Sequence, residues 1–185
     1  MCIRDSSDGK VLVAGGAQGG YSAIIAAAEM YDPATGLFTY AGTITPTHEF
    51  LFAPAVLLPD GRVLMAGGSD SPNDGAPNAL ADLYGLASGF APTGKMLGAR
   101  YSYAAALLSG GKVLLAGGQA PDGLVTASAE LYSPATGTFS GAGNMVSKRK
   151  NHTATRLGSG AVLIIGGSSD SGDRPQYASA ELYFE

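Results

Sequence analysis

The chain has 185 residues, of which 45% are hydrophobic and only 14% are charged, so it is too apolar to be disordered and long enough to bury a core. Its net charge of −4 gives no general attraction to nucleic acid, and the short basic cluster Lys148–Lys150 does not reverse that. No apolar run approaches the roughly 20 residues that cross a bilayer. We therefore predict neither nucleic-acid binding nor membrane insertion.

The opening segment, residues 1–7, has no counterpart later in the chain and lacks the apolar centre of a secretion signal. We predict that it is a leader outside the fold, which then covers residues 8–185. The single cysteine, Cys2, lies in this leader and has no partner for an internal disulfide.

A pair of glycines ends an apolar run four times, at intervals of about 50 residues, which is typical of a protein built from stacked repeats. The near-continuous run of Val, Leu and Ile before each pair predicts a strand that is covered on both faces. No GxGxxG or GK[ST] signature follows, so we interpret the glycines as points of close backbone approach within a repeat rather than as a phosphate loop. They are Gly15, Gly16, Gly67, Gly68, Gly117, Gly118, Gly166 and Gly167.

Each repeat has three further strand signals around this apolar strand. The strand before it is separated by a glycine-containing pair such as Asp60-Gly61, which predicts a two-residue antiparallel hairpin turn. The strand after it carries an acid and a tyrosine, and the fourth strand carries a phenylalanine. Because these residues recur in every repeat, we predict an architectural role: the acids are hydrogen-bond or ion-pair partners, for example of Arg100 or Arg149, and the tyrosines pack within the sheets. The acids and tyrosines are Glu29, Tyr31, Asp82, Tyr84, Glu130, Tyr132, Glu181 and Tyr183.

Four-stranded antiparallel sheets repeated at this interval indicate radially packed blades rather than a flat sandwich. The approximate blades are residues 8–45, 46–95, 96–145 and 146–185. The first blade lacks a recognisable first strand and the last lacks a full fourth strand. We therefore expect part of a larger propeller in preference to a closed ring of four blades.

The double glycines, the tyrosine about sixteen residues later and the aromatic residue that opens strand four resemble the kelch repeat over residues 8–185. Kelch repeats usually carry tryptophan in strand four, and Phe38, Phe90 and Phe139 take that packing position here. The resemblance implies an all-β, kelch-type β-propeller of about four blades with incomplete first and last blades, similar to the central propeller of the galactose oxidase superfamily.

In an up-and-down blade, the loop after each glycine pair shares one end of the molecule with the connections between blades. We call this end the loop face, and because its segments vary between repeats we predict that it binds the ligand. The acidic loop residues do not follow the calcium-loop pattern, and His48 and His152 are far apart, so we predict no metal site. The candidate binding residues are Tyr21, Asp70, Asn73, Asp74, Gln119, Asp122, Arg149, Asp170, Asp173, Arg174 and Tyr177.

The kelch resemblance implies a non-catalytic interaction module that binds a protein or a glycan. The alternative is the propeller part of a carbohydrate-active enzyme, similar to galactose oxidase or a sialic acid epimerase, whose catalytic residues lie mostly outside this chain. A copper-radical site of that type needs a cysteine crosslinked to a tyrosine and paired histidine ligands, so we favour the non-enzymatic function and predict no catalytic residue and no cofactor. The remaining blades of a parent chain are a further expected partner. The composition and the DPATG turn resemble bacterial extracellular kelch proteins, which implies secretion or a cell-envelope location; a cytoplasmic location stays open.

Overall fold

The computed structural model describes residues 2–5, 9–18, 23–44, 52–69, 76–169 and 176–185, with the backbone alone at 2–5, 17–18 and 23–24. Within these ranges the protein consists of β-strands joined by turns and bends, without any helix. The all-β class predicted from the repeats is confirmed. No helix in the described ranges has the length and apolar character needed to cross a membrane.

The strands form four antiparallel sheets that follow one another along the chain. Sheet 1 contains β1 (Cys2–Asp5), β2 (Val11–Ala14), β5 (Ala27–Asp32) and β6 (Leu37–Thr43), while the short β3 (Ala17–Gln18) and β4 (Ala23–Ile24) pair with each other. Sheet 2 contains β7 (Ala55–Leu57), β8 (Val63–Ala66), β9 (Ala81–Gly85) and β10 (Gly89–Pro92). Sheet 3 contains β11 (Ala104–Leu107), β12 (Val113–Ala116), β13 (Ser128–Ser133) and β14 (Thr138–Asn144). Sheet 4 contains β15 (Thr153–Arg156), β16 (Val162–Ile165) and β17 (Ala180–Tyr183). Spatial order equals chain order in all four, so each sheet is the predicted meander.

The turn between the first two strands of a sheet is one residue longer than predicted. In sheet 2 the N–H of Leu58 donates to the Arg62 carbonyl (2.8 Å) and the N–H of Gly61 donates to the Leu58 carbonyl (3.0 Å). The loop therefore has three residues and ends in a glycine with φ of 83°. A type I turn followed by a left-handed glycine matches the twist of the two strands. The predicted positive φ of the turn glycine is confirmed, but the predicted length of two residues is wrong.

The N-terminal segment differs from its prediction as a leader outside the fold. Backbone residues Cys2–Asp5 form β1, which pairs with β2 in the position of the first strand of sheet 1. Strand pairing uses backbone N–H and C=O groups, so the segment needs no resemblance to the other first strands in order to occupy the edge.

Only the two middle sheets cover their apolar strand on both faces. Every residue of β8 and β12 is buried, whereas β2 and β16 alternate between buried and more exposed residues. The prediction that all four apolar strands are covered on both sides therefore holds for sheets 2 and 3. Among the described strands, sheets 1 and 4 each have a neighbouring sheet on one side.

Each sheet has two chemically different faces because side chains alternate along a strand. In sheet 3 one face carries the acid and the tyrosine and is here called the tyrosine face; it consists of Val113, Leu115, Glu130, Tyr132 and Phe139. The other is here called the alanine face; it consists of Leu114, Ala116, Ala129 and Leu131. The same register recurs in the other sheets, so each has both faces.

Neighbouring sheets always join an alanine face to a tyrosine face. Between sheets 2 and 3, Leu64 and Leu83 of one alanine face lie in one buried cluster with Val113, Leu115 and Tyr132. The cluster between sheets 1 and 2 and the cluster between sheets 3 and 4 repeat this arrangement. Within the tyrosine faces of sheets 1 to 3, the tyrosine packs against the predicted phenylalanine with ring centroids 4.8–4.9 Å apart. The core is thus a series of identical interfaces, each joining two successive repeats.

The first strands of the four sheets lie side by side in succession. β1 contacts β7, β7 contacts β11 and β11 contacts β15, while the fourth strands β6 and β10 meet at the opposite edge of the sheets. Among the described strands, β15 makes no comparable contact with β1. The sheets thus succeed one another through their first strands, and the described residues form no closed ring.

The glycine pairs lie where one repeat meets the connection into the next. A Cβ atom on Gly117 would lie 2.4 Å from the Arg149 carbonyl oxygen, and one on Gly67 would lie 2.6 Å from that of Arg100. The N–H of the following glycine, Gly118 or Gly68, donates to the same oxygen at 2.8 Å. Close backbone approach is therefore correct as the reason for these glycines. The first glycine of a pair approaches the next repeat, whereas the second approaches its own: a Cβ atom on Gly118 would lie 2.7 Å from the Tyr101 carbonyl oxygen.

Candidate functional site

The loop face begins with a residue that is buried, not with one that is open to a ligand. Ser69, Gln119 and Ser168 each follow a glycine pair directly, and all three are buried. Gln119 and Ser168 form backbone bridges to Tyr101 and Lys150, which lie just before the first strand of the same sheet. The ladder of the sheet thus continues one step beyond the glycines, and these positions belong to the scaffold.

The amide of Gln119 joins three segments of the loop face. Its Oε1 accepts hydrogen bonds from the Tyr101 hydroxyl (2.8 Å) and from Nζ of the buried Lys150 (3.2 Å), and its Nε2 donates to the Gly123 carbonyl (2.9 Å). These contacts use both ends of a buried amide, so the Gln119 side chain holds the loop in place. The prediction that Gln119 contacts a ligand is therefore corrected.

Arg149 is likewise a structural residue. Its fully buried guanidinium forms an ion pair with Glu181 (Nη2 to Oε1, 2.7 Å) and donates to the Gly166 carbonyl (2.7 Å). Burial raises the pKa of Glu181, but the hydrogen bonds from the backbone N–H groups of Val146 and Ser147 and from Arg149, together with the Arg149 charge, have a larger opposite effect. The pKa of Glu181 therefore lies below its ordinary value. The prediction that Arg149 binds a ligand is therefore corrected, because Glu181 neutralises its charge within sheet 4.

Sheet 3 contains the same arrangement at the preceding repeat. Arg100 pairs with Glu130 at 2.7 Å with both side chains buried, and Glu130 also accepts the N–H groups of Leu97 (2.7 Å) and Gly98 (3.0 Å). Arg100 further donates to the carbonyls of residues 117 and 128. These two ion pairs confirm the predicted partnership between the repeated acids and the arginines of the incoming connections.

His152 lies beside the Arg149 ion pair and is also buried. Burial lowers its pKa to about 4, and the positive charge of Arg149 contributes to the shift. The nearby Ala116 carbonyl acts in the other direction and raises the pKa of His152 in part, although within the described part of the chain neither ring nitrogen forms a well-aligned hydrogen bond. The imidazole is therefore neutral at physiological pH and serves as a packing group.

One cavity opens on the loop face at sheet 4. It has a volume of about 400 Å³ and is lined by the side chains of Asn151, Gln176 and Tyr177 and by backbone at 166–168. Asn151 and Gln176 are exposed, and Asn151 adopts a left-handed backbone with φ of 55°, which asparagine tolerates better than most residues. The ring of Tyr177 lies over the Arg149 guanidinium, 5.2 Å from centroid to Cζ. An aromatic ring that lies over a buried cation and two exposed amide-bearing residues thus meet at one concave surface.

Of the predicted binding residues, the structure brings Tyr177 to this cavity and places Asp122 on an exposed turn. Oδ1 of Asp122 accepts the N–H of Leu124 (3.0 Å), a contact within its own loop. No sequence pattern singled out Asn151 or Gln176. The left-handed backbone at Asn151 recurs at Ser102 one repeat earlier, where φ is 54°, but the residue type changes between the two repeats, so no recurring signal marks the position. Seven further candidates lie outside the residues whose side chains are described: Tyr21, Asp70, Asn73, Asp74, Asp170, Asp173 and Arg174.

A second concave surface runs along the first strands and is lined by residues 55–57, 105–107 and 154–156. Its volume is about 430 Å³, and small or aliphatic side chains line most of it, with Arg156 as the charged residue. In the described part of the chain, no group of three or more His, Cys, Asp or Glu side chains is arranged to hold a metal ion. His48 lies outside the described residues.

No protein-family model matches the chain, and no curated protein is significantly similar to it. The properties of the candidate site therefore come from its own geometry.

Proposed function

We propose that the chain is part of a kelch-type β-propeller and acts as a non-catalytic interaction module that binds a protein or a glycan through its loop face. The fold part of this proposal is supported by four successive antiparallel sheets, by their first strands lying side by side, and by one recurring interface between neighbours. These features are those expected of blades arranged around an axis.

The observation that carries the binding function is the cavity beside Tyr177. Ligand sites combine an apolar or aromatic surface with a few polar groups that fix orientation, and Tyr177, Asn151 and Gln176 supply that combination. The two amides each offer donors and an acceptor without net charge. A neutral, hydroxyl-rich sugar or a peptide backbone matches this chemistry better than a phosphate or a cation does.

The scaffold under the cavity is held by an ion pair and buried hydrogen bonds, which favours binding through a preorganised surface. Arg149 below the Tyr177 ring is fixed by Glu181 and by backbone carbonyls, and Gln119 and Lys150 are tied to each other nearby. Preorganised aromatic and amide groups lose little entropy when a ligand binds. The described residues of the cavity contain no pair of titratable side chains that would serve as acid and base.

The test is to screen the chain on a glycan array and a displayed peptide library, and to measure the best binder by calorimetry. We expect Tyr177→Ala to weaken binding at least about tenfold, or about 1.4 kcal/mol. Because the ring also lies over Arg149, the midpoint of thermal unfolding should fall by about 2–4 °C while the variant stays folded at the temperature of the binding measurement. Tyr40→Ala is the matched control, because Tyr40 is an exposed tyrosine on β6 of sheet 1, away from the loop face of sheet 4.

Equal binding by wild type and Tyr177→Ala would contradict the assignment of this cavity. An equal loss for Tyr40→Ala would show that the ligand is held by exposed aromatic surface in general. Asn151→Gly provides a second variant within the cavity and should weaken the same binder, because glycine removes the amide and keeps the left-handed backbone.

A further inference from the structure

The two end sheets each present one uncovered face, and the two faces are different. Sheet 1 exposes its tyrosine face, because its alanine face is buried against sheet 2. On the uncovered side Val11 and Val13 are half-buried, Glu29 is exposed and Phe38 is 57% exposed. The equivalent Phe139 in sheet 3 is buried.

Sheet 4 exposes its alanine face, because its tyrosine face packs on sheet 3. The register places Leu163 beside Leu182 and Ile165 beside Ala180 on this side. Ile165 is 45% exposed and Leu182 is 51% exposed, while Ala66 and Leu83 at the same positions of sheet 2 are buried. Thr153 and Thr155 complete the face, so the described residues on it carry no charge.

The molecule itself shows what covers each of these faces. All three internal interfaces join an alanine face to a tyrosine face. The chain thus exposes, at opposite ends, the two complementary halves of an interface that it already makes three times. We propose that a second copy of this chain packs its sheet 1 onto sheet 4 of the first.

This contact is heterologous, because it joins two different surfaces, so its geometry decides whether the assembly closes into a ring or extends into a filament. If both ends of both copies engage, two equivalent interfaces form and the assembly closes as a ring of eight sheets, within the range of four to eight blades known for propellers. Closure leaves neither apolar face exposed, which removes the tendency of a one-ended contact to extend into a filament.

Glu29 sets the strength of the contact. In sheets 3 and 4 the corresponding acids are held by an arginine and by two backbone N–H groups. Within the described residues Glu29 has neither an arginine nor backbone N–H groups as partners, and the alanine face of sheet 4 carries no cation that could replace them. Association therefore partly covers a carboxylate whose only partners are water molecules at the rim of the interface. Glu29→Gln removes the cost of desolvating this charge and should tighten association by about tenfold.

The experiment is sedimentation velocity of the full chain over a range of concentrations. We expect a species of twice the 18.5 kDa chain mass. Leu182→Lys and Val13→Lys each place a cation in one of the two faces and should each give a monomer, with association at least about tenfold weaker. Leu86→Lys is the matched control: Leu86 is an exposed leucine on the turn after β9 and lies on neither face.

Mixing the two blocked variants distinguishes this contact from a symmetrical one. Leu182→Lys keeps an intact sheet 1 and Val13→Lys keeps an intact sheet 4, so their mixture should form a one-to-one complex although each alone is monomeric. Circular dichroism of each variant should match the wild type, because both substituted side chains have solvent on one side.

A wild-type chain that stays monomeric at all concentrations would overturn the proposal and leave the two faces to the remaining blades of a longer parent chain or to a different protein. A dimer blocked by only one of the two lysine variants would overturn it in favour of a like-with-like contact. Neither result bears on the loop-face cavity, whose ligand binding is measured separately.

Discussion

At the residue scale, the buried histidine of sheet 4 replaces a tyrosine of sheet 3. Tyr103 and His152 occupy the same place before the first strand, and the Tyr103 hydroxyl donates to the Ala66 carbonyl. His152 faces the equivalent carbonyl, that of Ala116, with an imidazole whose pKa burial lowers to about 4. The two side chains occupy equivalent positions, but only the imidazole of His152 gains a proton as the pH falls below neutrality.

We predict that His152 makes the protein less stable as the pH falls below neutrality. Its pKa is near 6.5 in the unfolded chain and about 4 when folded, so between these values the unfolded state binds more protons and the free energy of unfolding decreases on acidification. From pH 7 to pH 5 the loss should be about 2 kcal/mol. Urea unfolding at the two pH values measures it.

His152→Tyr is the matched variant for this prediction, since sheet 3 already accommodates tyrosine at that place. It should remove most of the pH dependence above pH 5, where Glu181, whose pKa is lowered, stays ionised. An unchanged slope in His152→Tyr would show that other groups carry the pH dependence.

At the element scale, the incoming connections are fixed to their sheets by buried charge. Arg100 and Glu130 are both buried, and Glu130 also accepts two backbone N–H groups of the connection that carries Arg100. The pair therefore fastens a segment without regular structure to the third strand of the sheet. Because water is excluded, the pair is sensitive to the loss of either partner.

Replacing Glu130 by glutamine should lower the free energy of unfolding by about 3 kcal/mol, because Arg100 is then left buried without its counter-charge. Glu29→Gln is the matched control at the same repeat position of sheet 1; it should change stability by less than about 0.5 kcal/mol because Glu29 is exposed. Urea denaturation at low protein concentration measures both. Similar effects of the two substitutions would contradict a special role for the buried pair.

Sequence periodicity predicts the elements of this fold better than it predicts their neighbours. Gly-Gly pairs, turn glycines and the acid–tyrosine pattern located the strands because each reflects a local requirement for positive φ or alternating burial. β1 was missed because its pairing depends on the backbone of β2. The coverage of β2 and β16 was misjudged because burial depends on whether a further sheet is present, which no local pattern encodes.

The candidate site was harder to predict for a related reason. Variation between repeats drew attention to the loop face, where Tyr177 lines a cavity. Variation does not show which way a side chain turns, and Gln119 and Arg149 turn inward to partners that lie far away in the sequence. Their burial follows from contacts between segments that only the folded chain brings together.

At the scale of the whole molecule, stability should be uneven along the row of sheets. Stability in repeat architectures is approximately a sum of terms from each unit and from each interface. Sheets 2 and 3 each have two interfaces, and sheets 1 and 4 have one. The residues of β8 and β12 are accordingly all buried, while Ile165 in β16 is 45% exposed.

We predict that amide hydrogen exchange in a dilute solution is slowest in β8 and β12 and faster in β2 and β16. A missing interface leaves two or three large apolar side chains partly hydrated, which lowers the free energy of local opening by about 3 kcal/mol and speeds exchange roughly hundredfold. Repeating the measurement at high concentration separates the two causes of protection. If a second copy covers the end sheets, β2 and β16 slow towards the middle strands while β8 and β12 stay unchanged. Uniform exchange across all four strands at low concentration would instead mean that the sheets open together, so that the number of interfaces per sheet does not govern local stability.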